Sequence, residues 1–146
     1  MGEGGGEGEE HKRAAMKKFD VQTGSKEVLL DITRQVEEEV RKSDIKSGFC
    51  VVYVPHTTAA VTINENADPT VRQDILMTLR KAVPDSLPYA HAEGNSPAHV
   101  KSSLVGASIT IPIEDGKLVL GTWQGVFFCE FDGPRRRQVY VKLLPA

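Results

Sequence analysis

The sequence has few of the features that mark specialised protein classes. Of its 146 residues two are cysteine and 6% are aromatic, and no apolar run approaches the roughly 18 residues that span a membrane. These absences exclude a disulfide scaffold, a collagen and a coiled coil, and they predict no membrane segment. The first residues also lack a cationic stretch followed by an apolar run, so we expect a cytoplasmic protein.

Motifs of known chemistry are missing as well. No Gly-rich phosphate loop follows a strand. His91-Ala92-Glu93 matches half of a zinc deaminase signature, but the Pro-Cys-x-x-Cys half is absent, which argues against that class. Cys50 and Cys129 each lie in an apolar run, and we expect both thiols to be buried and inert.

The charge of the chain depends on its first residues. Lys and Arg number 18 against 20 Asp and Glu, so 18 − 20 gives −2. The first ten residues contain four of the acids and five of the 13 glycines, and a segment of this composition is predicted to be disordered. We therefore divide the chain into a tail, residues 1–12, and a folded domain, residues 13–146. Without those four acids the balance is 18 − 16 = +2, which favours a small anionic ligand over nucleic acid.

The order of predicted elements indicates an α+β fold. Strands are predicted at both ends of the chain and helices between them. An apolar residue at every fourth position predicts a helix from Val28 to about Ser43, and Asp68-Pro69 and Asn95-Ser96-Pro97 each predict a helix start. The remaining runs predict strands over residues 16–22, 49–54, 59–63, 108–113, 117–120, 122–131 and 138–144.

Three of the four histidines lie where predicted elements begin or end, which is where reactive groups collect. His56 precedes Thr57 and Thr58, whose hydroxyl groups could bind an anion. His91 precedes Glu93 and Asn95, and His99 lies in the short helix. His11 falls in the tail and is set aside.

Two further groups have both a structural and a functional interpretation. Arg135, Arg136 and Arg137 follow a Gly-Pro turn, and they are either a solvated hairpin end or a clamp for an anion. Trp123 and Gln124 lie between two glycines in a predicted strand, where the indole is either a core residue or the floor of a pocket.

The motifs together resemble the YjbQ-like family, which is often labelled secondary thiamine-phosphate synthase enzyme. The resemblance extends from about Met16 to Leu144. It is carried by His56-Thr57-Thr58-Ala59-Ala60, Thr62-Ile63-Asn64-Glu65-Asn66, Asp68-Pro69, His91, Glu93-Gly94-Asn95, Ala98-His99-Val100-Lys101, Leu118-Val119-Leu120-Gly121-Thr122-Trp123-Gln124-Gly125 and Glu130-Phe131-Asp132-Gly133-Pro134-Arg135.

This resemblance implies a compact single domain of largely antiparallel sheets packed as a sandwich, with about three helices, that assembles as a homotrimer. It also implies a polar site near subunit boundaries, contributed by His56, Asn64, His91, Glu93, His99, Trp123, Gln124, Glu130 and Arg135. The family label implies a transferase that joins an aminopyrimidine diphosphate to a thiazole phosphate and releases diphosphate.

Our leading hypothesis is a small enzyme acting on a phosphorylated or otherwise anionic metabolite. The candidate catalytic residues are His56, His91, Glu93, His99 and Glu130. The candidate substrate-binding residues are Thr57, Thr58, Asn64, Asn95, Lys101, Trp123, Gln124 and Arg135. One alternative is a hydrolase in which His91 and His99 hold a divalent metal, zinc or magnesium. The other is a non-catalytic ligand-binding or assembly protein.

Overall fold

A computed structural model describes residues 16–146, which form an α+β domain as the sequence predicts. The predicted tail and His11 lie outside the described residues. The strands are β1 (Lys17–Gln22), β2 (Val28–Asp31), β3 (Gly48–Tyr53), β4 (Ala59–Glu65), β5 (Ser108–Glu114), β6 (Lys117–Leu118), β7 (Gln124–Glu130) and β8 (Arg136–Pro145). The helices are α1 (Thr33–Lys42), α2 (Pro69–Ala82) and α3 (Ser96–Val105). Within the described part of the chain, no helix combines the length and the apolar character needed to cross a membrane.

Two antiparallel sheets pack face to face, which confirms the sandwich. The larger sheet has the strand order β1-β8-β3-β5-β6, and the smaller has the order β2-β7-β4. The core between them contains buried side chains from both sheets and from α1, including Val36, Val52, Ile111, Phe128 and Val141. One apolar layer therefore joins elements from both ends of the chain.

The central strand β7 has both faces buried. Val126, Phe128 and Glu130 share the face toward the larger sheet, since side chains alternate along a strand. Phe127 and Cys129 face the other way, into a second core with Leu76 of α2 and Ala98 of α3. Burying each phenylalanine contributes about 1.5–3 kcal/mol. Strand β7 therefore fixes the position of Glu130, which follows directly on the buried apolar run.

The outer face of the larger sheet remains exposed. Phe49, Tyr53 and Leu144 are 45%, 45% and 42% exposed, and Phe49 is the register partner of Leu144 on the neighbouring strand. The burial pattern of β3 alternates between buried and more exposed side chains. Its apolar residues therefore supply two surfaces, one for the core and one for solvent.

The first predicted helix starts later than expected. Val28–Asp31 is strand β2, which pairs with β7, and α1 begins only at Thr33. The four-residue spacing of apolar residues continues from the helix back into the strand, so it could not mark the boundary. Asp31 marks it, because its Oδ1 accepts hydrogen bonds from the backbone N and the hydroxyl of Thr33 at 2.9 and 2.5 Å.

Other local predictions agree with the structure or differ in detail. Asp68 accepts a hydrogen bond from the Thr70 amide at 2.9 Å, as predicted for the residue preceding α2. Asp115 and Gly116 form the predicted hairpin turn with positive φ angles of 51° and 74°. Trp123 lies just before β7 rather than within it. Both cysteines are buried, as predicted.

Candidate functional site

Two clefts meet at His56, which follows the end of β3. The first, which we call the arginine cleft, has a volume of about 470 Å³ and is lined by Tyr53, Pro55, His56, Thr57, Thr58, Arg135 and Arg137. The second, the helix cleft, has a volume of about 370 Å³ and is lined by His56, Thr57, Ala59, His99, Ser102, Ser103, Gly106 and Ala107. Both volumes suit a small metabolite. The structure thus brings together His56, Thr57, Thr58, His99 and Arg135, all of which the sequence had nominated.

Glu130 and Arg137 form a buried ion pair that joins the two sheets. Glu130 lies on β7 and Arg137 on β8, and their side chains are 0% and 3% exposed. The Arg137 Nε donates to Glu130 Oε1 at 2.9 Å, and one terminal nitrogen contacts the other carboxylate oxygen. The same nitrogen donates to the Thr58 hydroxyl at 2.9 Å. The guanidinium is therefore held in place behind the arginine cleft.

The remaining bonds of Glu130 saturate its carboxylate. The Thr23 hydroxyl donates to Oε1 at 2.7 Å and the Asp132 amide donates to Oε2 at 3.0 Å. Burial alone would raise the pKa of Glu130, but the hydrogen bonds from Arg137, Thr23 and the Asp132 amide together lower it below its ordinary value. Glu130 thus remains ionised and serves in this structure to position Arg137.

The three consecutive arginines have three different environments. Neither a solvated hairpin end nor an anion clamp, the two interpretations of the sequence, therefore describes all three. Arg136 pairs with Asp20 at the surface, at 2.5 Å. Arg135, whose side chain is 49% exposed, lines the arginine cleft. Its Nε donates to the Asp132 carbonyl at 2.9 Å and its Nη2 to Asp132 Oδ2 at 3.0 Å. Only Nη1 of Arg135 makes no hydrogen bond to the described residues, which leaves it available to a ligand in the cleft.

His56 is oriented by the larger sheet. Its Nε2 accepts a hydrogen bond from the backbone N of Gln138 at 2.9 Å. Burial and the positive charge of Arg137 lower the pKa of His56 below 6.5. The ring is therefore neutral at neutral pH. With Nε2 accepting, its proton is on Nδ1, which can donate to a ligand.

His91 and His99 lie beside each other. Their ring centroids are 5.4 Å apart with the planes nearly perpendicular, and His91 Nε2 lies 4.0 Å from Glu93 Oε1. The Glu93 side chain is 74% exposed. Within residues 16–146 no three His, Cys, Asp or Glu side chains gather closely enough to hold a metal ion. The described residues thus offer two neighbouring imidazoles, those of His91 and His99, as metal ligands, and they place no third ligand close enough to both.

Lys101 and Asn95 line a separate cavity of about 270 Å³ on the other side of α3. Lys101 is 3% exposed, and its Nζ contacts Glu27 Oε2 at 2.5 Å. Arg80 of α2 contacts the same carboxylate at 2.7 Å. The sequence position of Asn95 suggested that its side chain caps α3, but the side chain makes no capping hydrogen bond. Its Nδ2 donates instead to Asp132 Oδ2 at 2.9 Å.

Three nominated residues lie away from the clefts, at the opposite end of the smaller sheet. Asn64 and Trp123 are exposed, the latter 63%, and Gln124 accepts a hydrogen bond from the Gly121 amide at 2.7 Å. Strand β7 separates Gln124 from Glu130 by six residue steps, or about 20 Å. We call these positions the tryptophan end and the Glu130 position the charged end. One chain therefore does not bring all of the predicted residues together.

Sequence reasoning missed several residues that organise the site. Thr23, Glu27 and Asp132 supply or accept the hydrogen bonds that hold Glu130, Lys101 and Arg135. Glu27 is 74 positions from Lys101 and Thr23 is 107 from Glu130, so no local spacing connects them. One signal was available for the pair of Glu130 and Arg137. Glu130 directly follows a buried apolar run, and a carboxylate buried in such a position needs a cation beside it.

Fold and site together define a small antiparallel α+β sandwich with a polar cleft lined by histidine and arginine. The chain belongs to the YjbQ/UPF0047 family: residues 17–146 match the family described as UPF0047 protein YjbQ-like. A UPF0047 protein of Methanocaldococcus jannaschii is 55% identical over 127 residues, which cover 87% of this chain and 92% of the relative. The UPF0047 protein YugU of Bacillus subtilis is 48% identical, with coverage of 88% and 98%.

Solved structures show the same fold. An uncharacterised conserved protein of this family from Clostridium acetobutylicum has a TM-score of 0.86 at 52% identity and covers 88% of this chain and 99% of its own. A structure from Sulfolobus solfataricus has a TM-score of 0.87 at 38% identity, with coverage of 90% and 97%, and is described as a YbjQ-like protein of unknown function. The family is thus established, and the names of these relatives state no activity.

Proposed function

We propose that this chain is a small cytoplasmic enzyme that acts on a phosphorylated or otherwise anionic metabolite. The observation that carries the proposal is the meeting of His56, Arg135 and Arg137 in one cleft, which opens beside His99. Guanidinium groups bind phosphate through directed donors, and an imidazole can transfer protons near neutral pH. Binding and proton transfer would therefore occur side by side.

Within this site Arg135 is the anion-binding group. Arg137 is already neutralised by Glu130, whereas Arg135 is half exposed and retains a free donor. Asp132 competes for the same guanidinium at 3.0 Å, so an incoming phosphate must attract Arg135 more strongly than one carboxylate does. A dianionic phosphate meets that requirement better than a carboxylic acid ligand.

The two cleft histidines have different roles in this proposal. His56 donates from Nδ1, because its Nε2 is engaged with the Gln138 amide. His99 is the acid/base group, and His91 packs edge-on against it with Glu93 nearby. In a thiamine-phosphate synthase-like transfer, a pyrimidine–thiazole C–N bond would form while a C–O bond to diphosphate breaks. Arg135 would bind the departing anion.

Arg135→Met tests the binding part of the proposal, and Arg136→Met is its matched control. Each change removes one arginine at the start of β8, where Arg135 immediately precedes the strand and Arg136 is its first residue. Of these two, Arg135 lines the arginine cleft and Arg136 does not. We expect Arg135→Met to weaken binding of inorganic phosphate and of diphosphate about tenfold, as followed by isothermal titration calorimetry, while Arg136→Met binds like the wild type. Equal effects of the two changes would contradict a specific site.

His99→Ala tests the catalytic part. We expect it to abolish diphosphate release from an aminopyrimidine diphosphate and a thiazole phosphate, or turnover of whichever phosphorylated metabolite proves to be the substrate. The melting temperature should change little, because the ring is partly exposed. Full activity in this variant would contradict the assignment of His99.

A metal-dependent hydrolase is the second candidate, favoured by the 5.4 Å approach of His91 to His99. In this case the two imidazoles would hold a divalent ion such as zinc or magnesium, and a further ligand would have to come from another group. Metal analysis of the purified protein is the test. A stoichiometric ion that is lost from both His91→Ala and His99→Ala supports this candidate.

Assembly as a homotrimer is a further part of the proposal. The exposed apolar side chains of the larger sheet and Trp123 offer surfaces for association. The residues of the tryptophan end lie too far from the charged end to join the clefts of the same chain, so a neighbouring subunit would have to bring the two ends together. Light scattering measures the mass in solution. If alanine at His56, His91 and His99 dissociated the assembly, the non-catalytic assembly role would become the better account.

A further inference from the structure

Ser102 has a buried hydroxyl group for which residues 16–146 supply no hydrogen-bond partner. The residue is 8% exposed, and its Oγ makes no hydrogen bond within the described residues. Leaving such a group unpaired costs about 1–3 kcal/mol. Most buried hydroxyls in native proteins are paired, so an unpaired one that lines a cleft indicates an interaction with something that binds there.

Ser103 shows that a serine in this part of α3 can form a hydrogen bond within the helix, so the helix does not force the Ser102 hydroxyl to remain unpaired. Ser103 is exposed, and its hydroxyl donates to the carbonyl of His99 at 3.0 Å, which is the usual local bond of a helical serine. Ser102, one position earlier in the same helix, makes no such bond to the carbonyl four residues before it. The helix therefore does not engage the Ser102 hydroxyl, and Ser102 is one of the residues that line the helix cleft.

The lining of the helix cleft favours an anionic oxygen as the partner. Ser102 shares this cleft with His56 and His99, and no aspartate or glutamate is among the lining residues in the described chain. The rest of the lining consists of Thr57, Ala59, Ser103, Gly106 and Ala107. A Cβ atom added at Gly106 would meet nothing within 4 Å. The cleft is thus open, free of carboxylates and supplied with hydrogen-bond donors.

We propose that Ser102 is a ligand-binding residue whose Oγ donates a hydrogen bond to an anionic oxygen held between His56 and His99. This inference rests on the proposed function and extends it, because it places part of the anion in the helix cleft as well as beside Arg135. The ligand class is a phosphorylated metabolite that spans His56, with oxygens on both sides of the ring.

Ser102→Ala and Ser103→Ala are the matched variants for testing the proposal in the full chain. With inorganic phosphate and diphosphate as probes in calorimetric titrations, we expect Ser102→Ala to weaken binding of at least one probe about tenfold. Ser103→Ala should have a clearly smaller effect, because Ser103 lines the same cleft but its hydroxyl is bonded to the His99 carbonyl. The melting temperature of Ser102→Ala should equal or exceed that of the wild type, because an unpaired buried hydroxyl is removed.

The outcomes separate this inference from the proposed function. If Arg135→Met weakens binding and Ser102→Ala does not, the role of Ser102 is overturned and the anion site stands. If the wild type binds neither probe, both are overturned. A Ser102→Ala protein that binds weakly and also melts several degrees lower would show a structural role and would overturn the inference.

Discussion

The two ends of the three-stranded sheet differ in how their polar side chains are held. At the charged end Glu130 and Arg137 are buried and connected to Thr23 and Thr58, which belong to distant parts of the chain. At the tryptophan end the side chains of Asn64 and Gln124 accept hydrogen bonds, within residues 16–146, only from backbone amides one and three residues away. The charged end is thus a fixed framework for a site, whereas the tryptophan end is a surface that a partner can reorganise.

The largest effect is expected from breaking the ion pair at the charged end. Glu130→Gln keeps the shape of the side chain but leaves Arg137 as an uncompensated buried charge. We expect the free energy of unfolding in urea to fall by about 3–5 kcal/mol. Trp123→Ala at the other end is the control, and its loss should stay within about 0.5 kcal/mol because the indole is exposed. Similar losses at the two ends would contradict the contrast.

Acid should weaken the charged end selectively. Glu130 has a folded-state pKa lowered from 4.5, so it binds its proton less readily in the folded than in the unfolded protein. Its contribution is therefore fully present above pH 4.5 and is lost as the pH falls through the folded-state pKa. His56 also has a lowered pKa, so its contribution is lost as the pH falls below 6.5.

Urea denaturation of the wild type and of Glu130→Gln, measured from about pH 7 to pH 3, checks this expectation. The free energy of unfolding should fall more steeply below pH 5 in the wild type, because only the wild type has the Glu130 carboxylate to protonate. Parallel curves for the two proteins would show that Glu130 does not govern the acid dependence.

A smaller contrast is expected between two glycines, one at each end. A Cβ at Gly133 would overlap the backbone carbonyl oxygen of Ser25 and come within 2.9 Å of Thr23 Oγ1. A Cβ at Gly125 would come within 2.6 Å of the side-chain nitrogen of Asn66, which can rotate away, and within 2.8 Å of the Asn66 Cβ, which cannot. We expect Gly133→Ala to lower the free energy of unfolding by about 1–3 kcal/mol and Gly125→Ala by less.

Gly24→Ala is the reference for both changes, since a Cβ there meets nothing within 4 Å. The expected order of destabilisation, measured by thermal unfolding, is Gly133, then Gly125, then Gly24. A loss at Gly125 that equals the loss at Gly133 would mean that the tryptophan end is as rigid as the charged end.

Much of the fold could be predicted because its signals are local. The β-branched and aromatic run before Pro55 predicts β3, and Asp68-Pro69 predicts the start of α2. The predicted start of the first helix at Val28 was wrong. Val28 and Ile32 continue the apolar spacing of the helix, but Val28 pairs with β7 and Ile32 packs in the core before the helix begins. Tertiary pairing decided that boundary.

The site was predicted less completely because it depends on contacts between distant residues. His56 and Arg135 were nominated from their own residue types, and both line the arginine cleft. The alternation of buried residues along β8 extends back to Arg137, but the predicted strand began at residue 138, so the burial of Arg137 was missed. The distance between Gln124 and Glu130 could have been predicted, since a strand of seven residues cannot bring its two ends together.

The burial of the two cysteines has a practical consequence for studying the ligand. Burial raises the pKa of Cys50 and of Cys129 to about 12, so neither side chain forms appreciable thiolate at neutral pH. To a maleimide dye the folded native chain therefore behaves as a protein without cysteine. A cysteine introduced at the exposed Ser103 would take up a single fluorophore beside the helix cleft, with both native core residues left in place.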